Sequence, residues 1–240
     1  MIASGTSAFN LDLGELIEEA FERCGQELRS GYDFKTARRS LNLLTIEWAN
    51  RGLNLWTIEQ GVIPMVAGQI NYSLPVDTID LLDHVIRTGT GQTQVDLSMN
   101  RISASTYITI PNKNVTGRPL QVWIDRQTGA DYPTTGIKYP AINVYPAPEQ
   151  SNYYYFVYWR LRRIQDAGNG VNSQDIPFRL LNALVAGLAY YLSMKIGQLD
   201  PNRVGMLKAD YEQQLDLADS EDREKASFHA VPRLMNYSRG

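Results

Sequence analysis

The sequence predicts a mixed α+β protein, in which helices from both ends of the chain form one bundle and an antiparallel β module is inserted between them. Apolar residues recur at helical spacing in residues 12–52 and again in residues 175–222. Residues 53–165 instead alternate apolar and polar positions between glycine and proline turns. The helix expected after Pro177 is apolar around most of its circumference, so it needs packing partners on several sides.

These patterns divide the chain into three parts. Residues 1–52 and 175–226 are expected to form a helical bundle domain, residues 53–174 an inserted β domain, and residues 227–240 a C-terminal docking arm. The arm is too apolar for a solvated tail and is interrupted by Pro232. It is expected either to dock on its own bundle or to become ordered against another protein chain.

The first helix is expected to begin at Asp12, whose carboxylate can form a capping box with Glu15, and to end at Gly25. One face of this helix is apolar and the opposite face is acidic. The acidic face is either a solvated surface or a wall that faces a negatively charged partner without adhering to it. Its members are Glu15, Glu18, Glu19 and Glu22.

The second helix is expected to begin at Asp33 and to end at Gly52. Three cations lie near its beginning, where the helix dipole disfavours positive charge. Their position indicates a use outside the helix, such as pairing with acidic groups of a neighbour, and plain solvation is the alternative. These cations are Lys35, Arg38 and Arg39.

The last two helices are expected to be joined at a tight break. Asp175 is the predicted N-cap of the first of them, Pro177 suits its first turn, and Gly197 ends it. Asp200 and Pro201 begin the second. The two helices would then complete the bundle.

The β module is expected to contain six or seven strands, the first two joined as a hairpin from Ile63 to Leu74. The strand from Tyr153 to Arg162 carries consecutive aromatic residues, which place rings on both of its faces. One set of rings can fill the core of the module. The other set is either tolerated in solvent, in contact with another protein, or stacked on carbohydrate.

The composition excludes some classes of function. Of 240 residues, 43% are hydrophobic and 20% charged, which is ordinary for a soluble globular protein. The formal net charge of −3 argues against a nucleic-acid binder with a basic face, although it permits a protein that surrounds DNA without gripping it. Cys24 is the single cysteine, so no internal disulfide is expected. We expect no signal peptide, and the longest apolar run, Ala183 to Leu192, is too short to cross a bilayer.

No group of residues forms a convincing catalytic or cofactor-binding motif. Metal-binding spacings and glycine-rich phosphate loops are missing from the sequence, and His84 and His229 lie in separate segments. Asp80 and Asp83 form a carboxylate pair of the kind used in acid–base catalysis, but such pairs arise by chance among 26 acidic residues. We therefore expect no enzymatic activity, no cofactor and no metal.

Several segments together resemble the head-to-tail adaptor proteins of short-tailed bacteriophages, also called tail accessory factors or tail tubular proteins. The resemblance covers nearly the whole chain and consists of fold-level patterns rather than a catalytic signature. The segments are Leu13–Ala20, Ala37–Leu44, Trp48–Trp56, the Gly68–Pro75 hairpin, Tyr139–Pro148 and the Leu180–Tyr191 helix.

The resemblance implies a ring, commonly of twelve copies, between the phage portal protein and the tail nozzle protein. DNA would pass through the ring without sequence-specific binding, and the protein would belong to the tail or neck of a virion assembled in the host cytoplasm, with no membrane. The acidic and basic residues named above would contact neighbouring subunits or line the channel.

By the same resemblance, the arm would dock on the portal through its apolar residues, which are Phe228, Val231, Leu234, Met235 and Tyr237. The β module would meet the next tail component through Tyr153, Tyr155 and Trp159. Two other classes of function remain open on the sequence alone, a β module that binds a host-surface glycan through its tyrosines and a cell-wall hydrolase that acts through Asp80 or Asp83.

Overall fold

Helices occupy both ends of the chain and strands occupy its middle, in a computed structural model that describes residues 5–6, 9–126, 129–130, 137–197 and 199–222. This order confirms the predicted α+β class. The helices are α1 (Leu13–Cys24), α2 (Gly31–Arg51), α3 (Ala104–Ile108), α4 (Leu181–Ser193) and α5 (Pro201–Glu221).

Ten strands lie between α2 and α4 within the described residues. They are β1 (Ile58–Pro64), β2 (Asn71–Ser73), β3 (Thr78–Thr88), β4 (Val95–Ser98), β5 (Asn100–Arg101), β6 (Gln121–Asp125), β7 (Gly129–Ala130), β8 (Ile137–Lys138), β9 (Ala141–Tyr145) and β10 (Tyr154–Arg162).

Helix α1 begins and ends where the sequence predicts. The Asp12 carboxylate accepts a hydrogen bond from the Glu15 backbone N–H (2.8 Å), and the Glu15 carboxylate accepts one from the Asp12 N–H (3.1 Å). Gly25 ends the helix in the left-handed conformation, with φ of 75°. Helix α2 begins earlier than expected because Ser30, rather than Asp33, is its N-cap, and the Ser30 hydroxyl accepts from the Asp33 N–H.

Helix α4 is enclosed by α1, α2 and α5, which share one apolar core with it. Ten of its thirteen residues are buried. Gly187 marks the closest approach, because a Cβ atom at this position would lie 2.8 Å from side-chain atoms of both Leu44 on α2 and Tyr211 on α5. Tyr211 is itself held in place, since its hydroxyl accepts a hydrogen bond from Trp48 Nε1 at 3.2 Å.

The predicted beginning of α4 is wrong. Pro177 precedes a 3-10 turn at Phe178–Leu180, and the α-helix begins only at Leu181. Asp175 does not cap the helix. Its carboxylate instead accepts hydrogen bonds from the Arg162 guanidinium and from the Gln165 backbone N–H. A charged partner in a half-buried position binds the carboxylate more strongly than a helix terminus does.

Eight of the strands form two four-stranded sheets that enclose a second apolar core, and β7 pairs with β8. The first sheet is antiparallel with the order β1-β10-β3-β4, and the second has the order β2-β9-β6-β5. The expected hairpin from Ile63 to Leu74 is wrong, because β1 pairs with β10 and β2 pairs with β9. The chain between them crosses from one sheet to the other, and Met65 and Tyr72 on either side of the crossing are both buried in the core.

Two arginines at the end of β10 connect the sheet to the helices. Arg160 donates to Asp77 (2.6 Å) and to Glu59 on β1 (2.8 Å), and only 11% of its side chain is exposed. Arg162 donates to the other oxygen of Glu59 (2.6 Å) and makes a two-pronged contact with Asp175. The network therefore ties β1, β10 and the segment before α4 to one another.

The charges of this network hold one another ionised. Burial raises the pKa of Asp175, but the hydrogen bonds from Arg162 and the Gln165 N–H outweigh this effect and bring the pKa below its usual range. The hydrogen bond to Asp175 raises the pKa of Arg162 in turn. Charges with so little exposure are costly unless every one is paired, so removal of one partner should destabilise the junction.

We predict that Gly187→Ala lowers the free energy of unfolding by about 1–3 kcal/mol, because the added methyl group overpacks a core whose neighbours cannot move. Gly205→Ala is the matched control, since Gly205 lies in α5 and no atom beyond its chain neighbours and the helix's own backbone lies within 4 Å of the place that an added methyl group would occupy. That control should gain about 0.5–1 kcal/mol from helix propensity. Urea unfolding followed by circular dichroism measures both, and equal effects would contradict the packing account.

We also predict that Asp175→Asn lowers the free energy of unfolding by about 3 kcal/mol, because it removes one of the two carboxylates that neutralise Arg162 in a nearly buried position. Asp166→Asn removes the corresponding charge from the exposed Arg163–Asp166 pair and should cost less than about 1 kcal/mol. Chemical denaturation of both variants at neutral pH provides the comparison. A loss at Asp166 as large as that at Asp175 would show that burial is not the cause.

Candidate assembly surfaces

The acidic face of α1 contains both structural and unpaired carboxylates. Glu15 belongs to the capping box, and Glu19 accepts from Arg23 Nε at 3.0 Å. Glu18 and Glu22 are exposed, and neither takes part in an ion pair among the residues that the structure describes. The two unpaired carboxylates lie one helical turn apart beside the groove between α1 and the beginning of α4.

The basic residues at the beginning of α2 divide in the same way. Arg38 Nη1 donates to the Asn169 side chain (3.2 Å), so this cation fastens the loop that precedes α4. Lys35 and Arg39 are exposed, and no ion pair or side-chain hydrogen bond involves them within the described part of the chain. The prediction of an external role therefore applies best to Lys35 and Arg39, since Arg38 already has a structural contact.

The loop before α4 is bonded to the first two helices of the chain. The carbonyl oxygens of Gly170 and Asn172 accept hydrogen bonds from the first backbone N–H groups of α1, at Gly14 (3.0 Å) and Leu13 (3.1 Å). The Ala167 N–H donates to the Asn42 side chain on α2 at 2.8 Å. These bonds satisfy the donors that a helix N-terminus leaves unpaired, and they fix the angle at which the chain leaves the β module.

Alternation along β10 divides its aromatic residues between the two faces of the first sheet. Tyr154, Phe156 and Tyr158 lie in the core between the sheets. Tyr155 and Trp159 are half-buried on the outer face. They flank Val157, which pairs with Val62 on β1 and Val85 on β3.

The outer face of the first sheet is thus an apolar surface with a polar edge. Val62 is 52% exposed, and Arg87 and Asp96 form an ion pair of 2.7 Å on the same side. Tyr153 lies just before β10, with its ring edge-on to Tyr154 and about half of its surface exposed. The structure therefore brings Tyr155 and Trp159 together on one surface and places Tyr153 at the end of the strand.

The docking arm cannot be located, because Phe228, Val231, Leu234, Met235 and Tyr237 lie outside the described residues. The helix that precedes it in the sequence is nevertheless anchored at its end. Asp222 is buried at the end of α5, and one of its carboxylate oxygens accepts from the backbone N–H groups of Asn54 (2.8 Å) and Leu55 (3.3 Å). The chain therefore leaves α5 at a fixed point beside the junction between α2 and β1.

Asp80, His84 and Cys24, the titratable groups that could be considered for catalysis, are each held by contacts within the protein. Asp80 accepts from Arg101 (2.8 Å) and Arg126 (3.2 Å). His84 is stacked on Phe156 in the β core, and burial lowers its pKa below the ordinary value. The Cys24 thiol donates to the Ala189 carbonyl at 3.1 Å, and burial raises its pKa to about 11.

Metal-binding clusters and membrane spans are both missing from the described residues. No three His, Cys, Asp or Glu side chains come together there in a group that could hold a metal ion. No helix in the same part of the chain has the length and apolarity that a membrane span requires.

Sequence reasoning missed the contribution of Arg160 and Arg162, because it treated the strand only as an aromatic one. A signal was present, since an Arg-Leu-Arg sequence places two cations on the same face of a strand and such a pair needs acidic partners. Which acids would supply them, Glu59, Asp77 or Asp175, was not visible from spacing.

Comparison with known proteins identifies the family. None of the curated proteins compared with the chain matches it. The family model described as SU10 adaptor protein matches residues 11–233, which include all four long helices and both sheets. This match confirms the resemblance to phage head-to-tail adaptors and makes the protein a structural component of a virion that contacts other virion parts. The chain belongs to the SU10 adaptor protein family.

Proposed function

We propose that the protein assembles as a ring of twelve copies between the portal protein and the tail nozzle protein, with DNA passing through the centre. The family match over residues 11–233 is the observation that carries this proposal. The formal net charge of −3 supports it, because a channel that lets DNA slide should not neutralise phosphates along its wall.

The three predicted parts have separate tasks in this proposal. Residues 1–52 and 175–226 build the ring, and residues 53–174 project toward the tail. The contact between Arg162 and Asp175 supports a fixed angle between them, because separation would take one of its two acidic partners from a nearly buried guanidinium group. Assembly would take place in the host cytoplasm, before the tail is complete.

Residues 227–240 are the portal-docking arm in this proposal. The anchoring of Asp222 to the Asn54 and Leu55 N–H groups supports such a role, because it gives the arm a rigid base from which to extend. Apolar residues in a segment of this length can be buried in a groove of a partner and become ordered there.

The outer face of the first sheet is the proposed contact with the nozzle protein. Tyr155 and Trp159 supply large rings with few rotatable bonds, and Val62 adds an exposed aliphatic group between them and the edge of the sheet. Aromatic residues at the centre of a polar-edged surface are typical of protein–protein contacts. Tyr153 would lie at the end of the same surface.

We predict that deletion of residues 227–240 leaves the fold intact but abolishes binding to the portal protein. The deletion begins beyond Asp222, so it removes none of the contacts that anchor α5. Co-purification with portal protein, followed by native mass spectrometry, measures both the binding and the number of adaptor copies, which we expect to be twelve for the full chain.

Circular dichroism and the unfolding midpoint of the shortened chain serve as the control for folding. A shortened chain that still binds the portal protein normally would show that the arm is not the docking element. A full chain that never binds portal protein under these conditions would refute the proposed position in the virion.

We predict that Tyr155→Ser with Trp159→Ser weakens binding to the nozzle protein by at least about 100-fold, because it removes two aromatic anchors from one surface. Tyr139→Ser with Phe178→Ser is a control that removes two exposed aromatic residues elsewhere. Particles assembled with the first variant should accumulate as filled heads that lack nozzles, which electron microscopy can count. Equal loss with both variants would point to a general effect on stability or solubility.

A further inference from the structure

Two grooves on the helical part carry opposite charge. The first, which we call the acidic groove, lies between α1 and the beginning of α4 and has a volume of about 530 Å³. Glu18 and Glu22 stand along it, and Phe9, Leu11 and Val185 provide apolar walls. Phe9 is 76% exposed, so the groove presents both negative charge and apolar surface to a partner.

The second groove, which we call the basic groove, lies between α2 and the end of α4 and has a volume of about 550 Å³. Arg39 and Lys195 stand along it, with Tyr32 and Leu43 as its exposed apolar residues. Lys195 also donates to the Ser40 hydroxyl at 2.6 Å, which holds its ammonium group near α2. Lys35 lies one turn before Arg39 on the same helix.

The unpaired charges on α1 and α2 have the same spacing. Glu18 and Glu22 are four residues apart on α1, and Lys35 and Arg39 are four residues apart on α2. Residues at this spacing lie above one another on a helix, and like charges there repel. Within one chain each pair keeps this repulsion, whereas a helix from another copy would relieve both pairs at once.

We propose that the acidic groove of one subunit receives the Lys35–Arg39 edge and the basic groove of the next subunit, and that this contact is the lateral interface of the ring. The proposal rests on the proposed adaptor function and names the partner surface as a second copy of this chain. Because the two surfaces differ, the contact is heterologous, which is the type of interface that generates rings.

A second copy fits these grooves better than DNA does. The carboxylates of the acidic groove would repel phosphate groups, and exposed Tyr32 and Leu43 would be left against a highly charged polymer. A copy of the chain supplies both the opposite charges at the matching spacing and the apolar surface to cover these residues. The charged pairs would then select the register, and the apolar residues would contribute the burial.

Charge reversal tests the proposal in complexes of the full chain with the portal protein. The groove variant carries Glu18→Lys and Glu22→Lys, and the edge variant carries Lys35→Glu and Arg39→Glu. The swapped variant carries all four changes. Glu212→Lys with Asp216→Lys on α5 is the control, because it reverses two exposed acids at the same spacing outside both grooves.

After chemical cross-linking, we expect the yield of covalent adaptor oligomers to fall by at least about tenfold in the groove variant and in the edge variant. Like charges then face each other at every contact. The swapped variant, and a one-to-one mixture of the groove and edge variants, should recover the oligomers to within about twofold of the unmodified chain. The control should match the unmodified chain. Circular dichroism checks that each variant folds.

The outcomes separate the two proposals. If the unmodified chain forms no ring on the portal protein, the proposed function fails and the interface fails with it. If rings form with all variants alike, the adaptor function stands and this interface is overturned. If the single-surface variants lose the ring and neither the mixture nor the swapped variant restores it, the charges contact something other than a second copy, and the proposal is equally overturned.

Discussion

The burial of helix α4 is the constraint on which the rest of the structure depends. Its sequence from Leu181 to Ser193 contains no charged side chain, and ten of its residues are buried. A helix of this kind is stable in water only when other elements cover it on all sides. Helices α1 and α2 precede the strands and α5 follows them, so covering α4 brings together helices that are far apart in the sequence.

Ten described strands lie in the sequence between helices that share this core, so the chain must depart from the helices and come back to them. The chain enters at the end of α2 and returns through the loop before α4, which bonds to α1 and α2 through its backbone. Of the arginines at the end of β10, Arg162 pairs with acids on both sides of this junction, and Arg160 pairs with acids of the β module. Neither arginine is left unpaired, so the junction meets the requirement for nearly buried charge.

The charged residues that remain unpaired within the subunit indicate where it could contact another molecule. Arg38, Glu15 and Glu19 are used inside the subunit, and Arg160 and Arg162 are used at the junction. Glu18, Glu22, Lys35 and Arg39 have no such use among the described residues, and each pair repeats at one helical turn. In the proposed ring these groups would be available to neighbouring copies, because contacts between copies close a ring.

The sequence by itself determined the local features whose causes are local. The Asp12 and Glu15 capping box, the left-handed Gly25, the order of helices and strands and the need to cover α4 all follow from spacing and side-chain chemistry within a few residues. The likeness to phage adaptors could be recognised for the same reason, since it consists of this order of elements.

Only the tertiary structure decided which distant groups meet. The Ala67–Gly68 turn indicated a hairpin, but β1 and β2 belong to different sheets because each pairs with a strand from a later part of the chain. Asp175 had the spacing of a helix cap, but folding brought Arg162 against it, and a guanidinium group in a nearly buried site outcompetes backbone N–H groups for a carboxylate. The same holds for Arg38, whose loop partner Asn169 is 131 positions away, because sequence spacing says nothing about partners that only packing brings together.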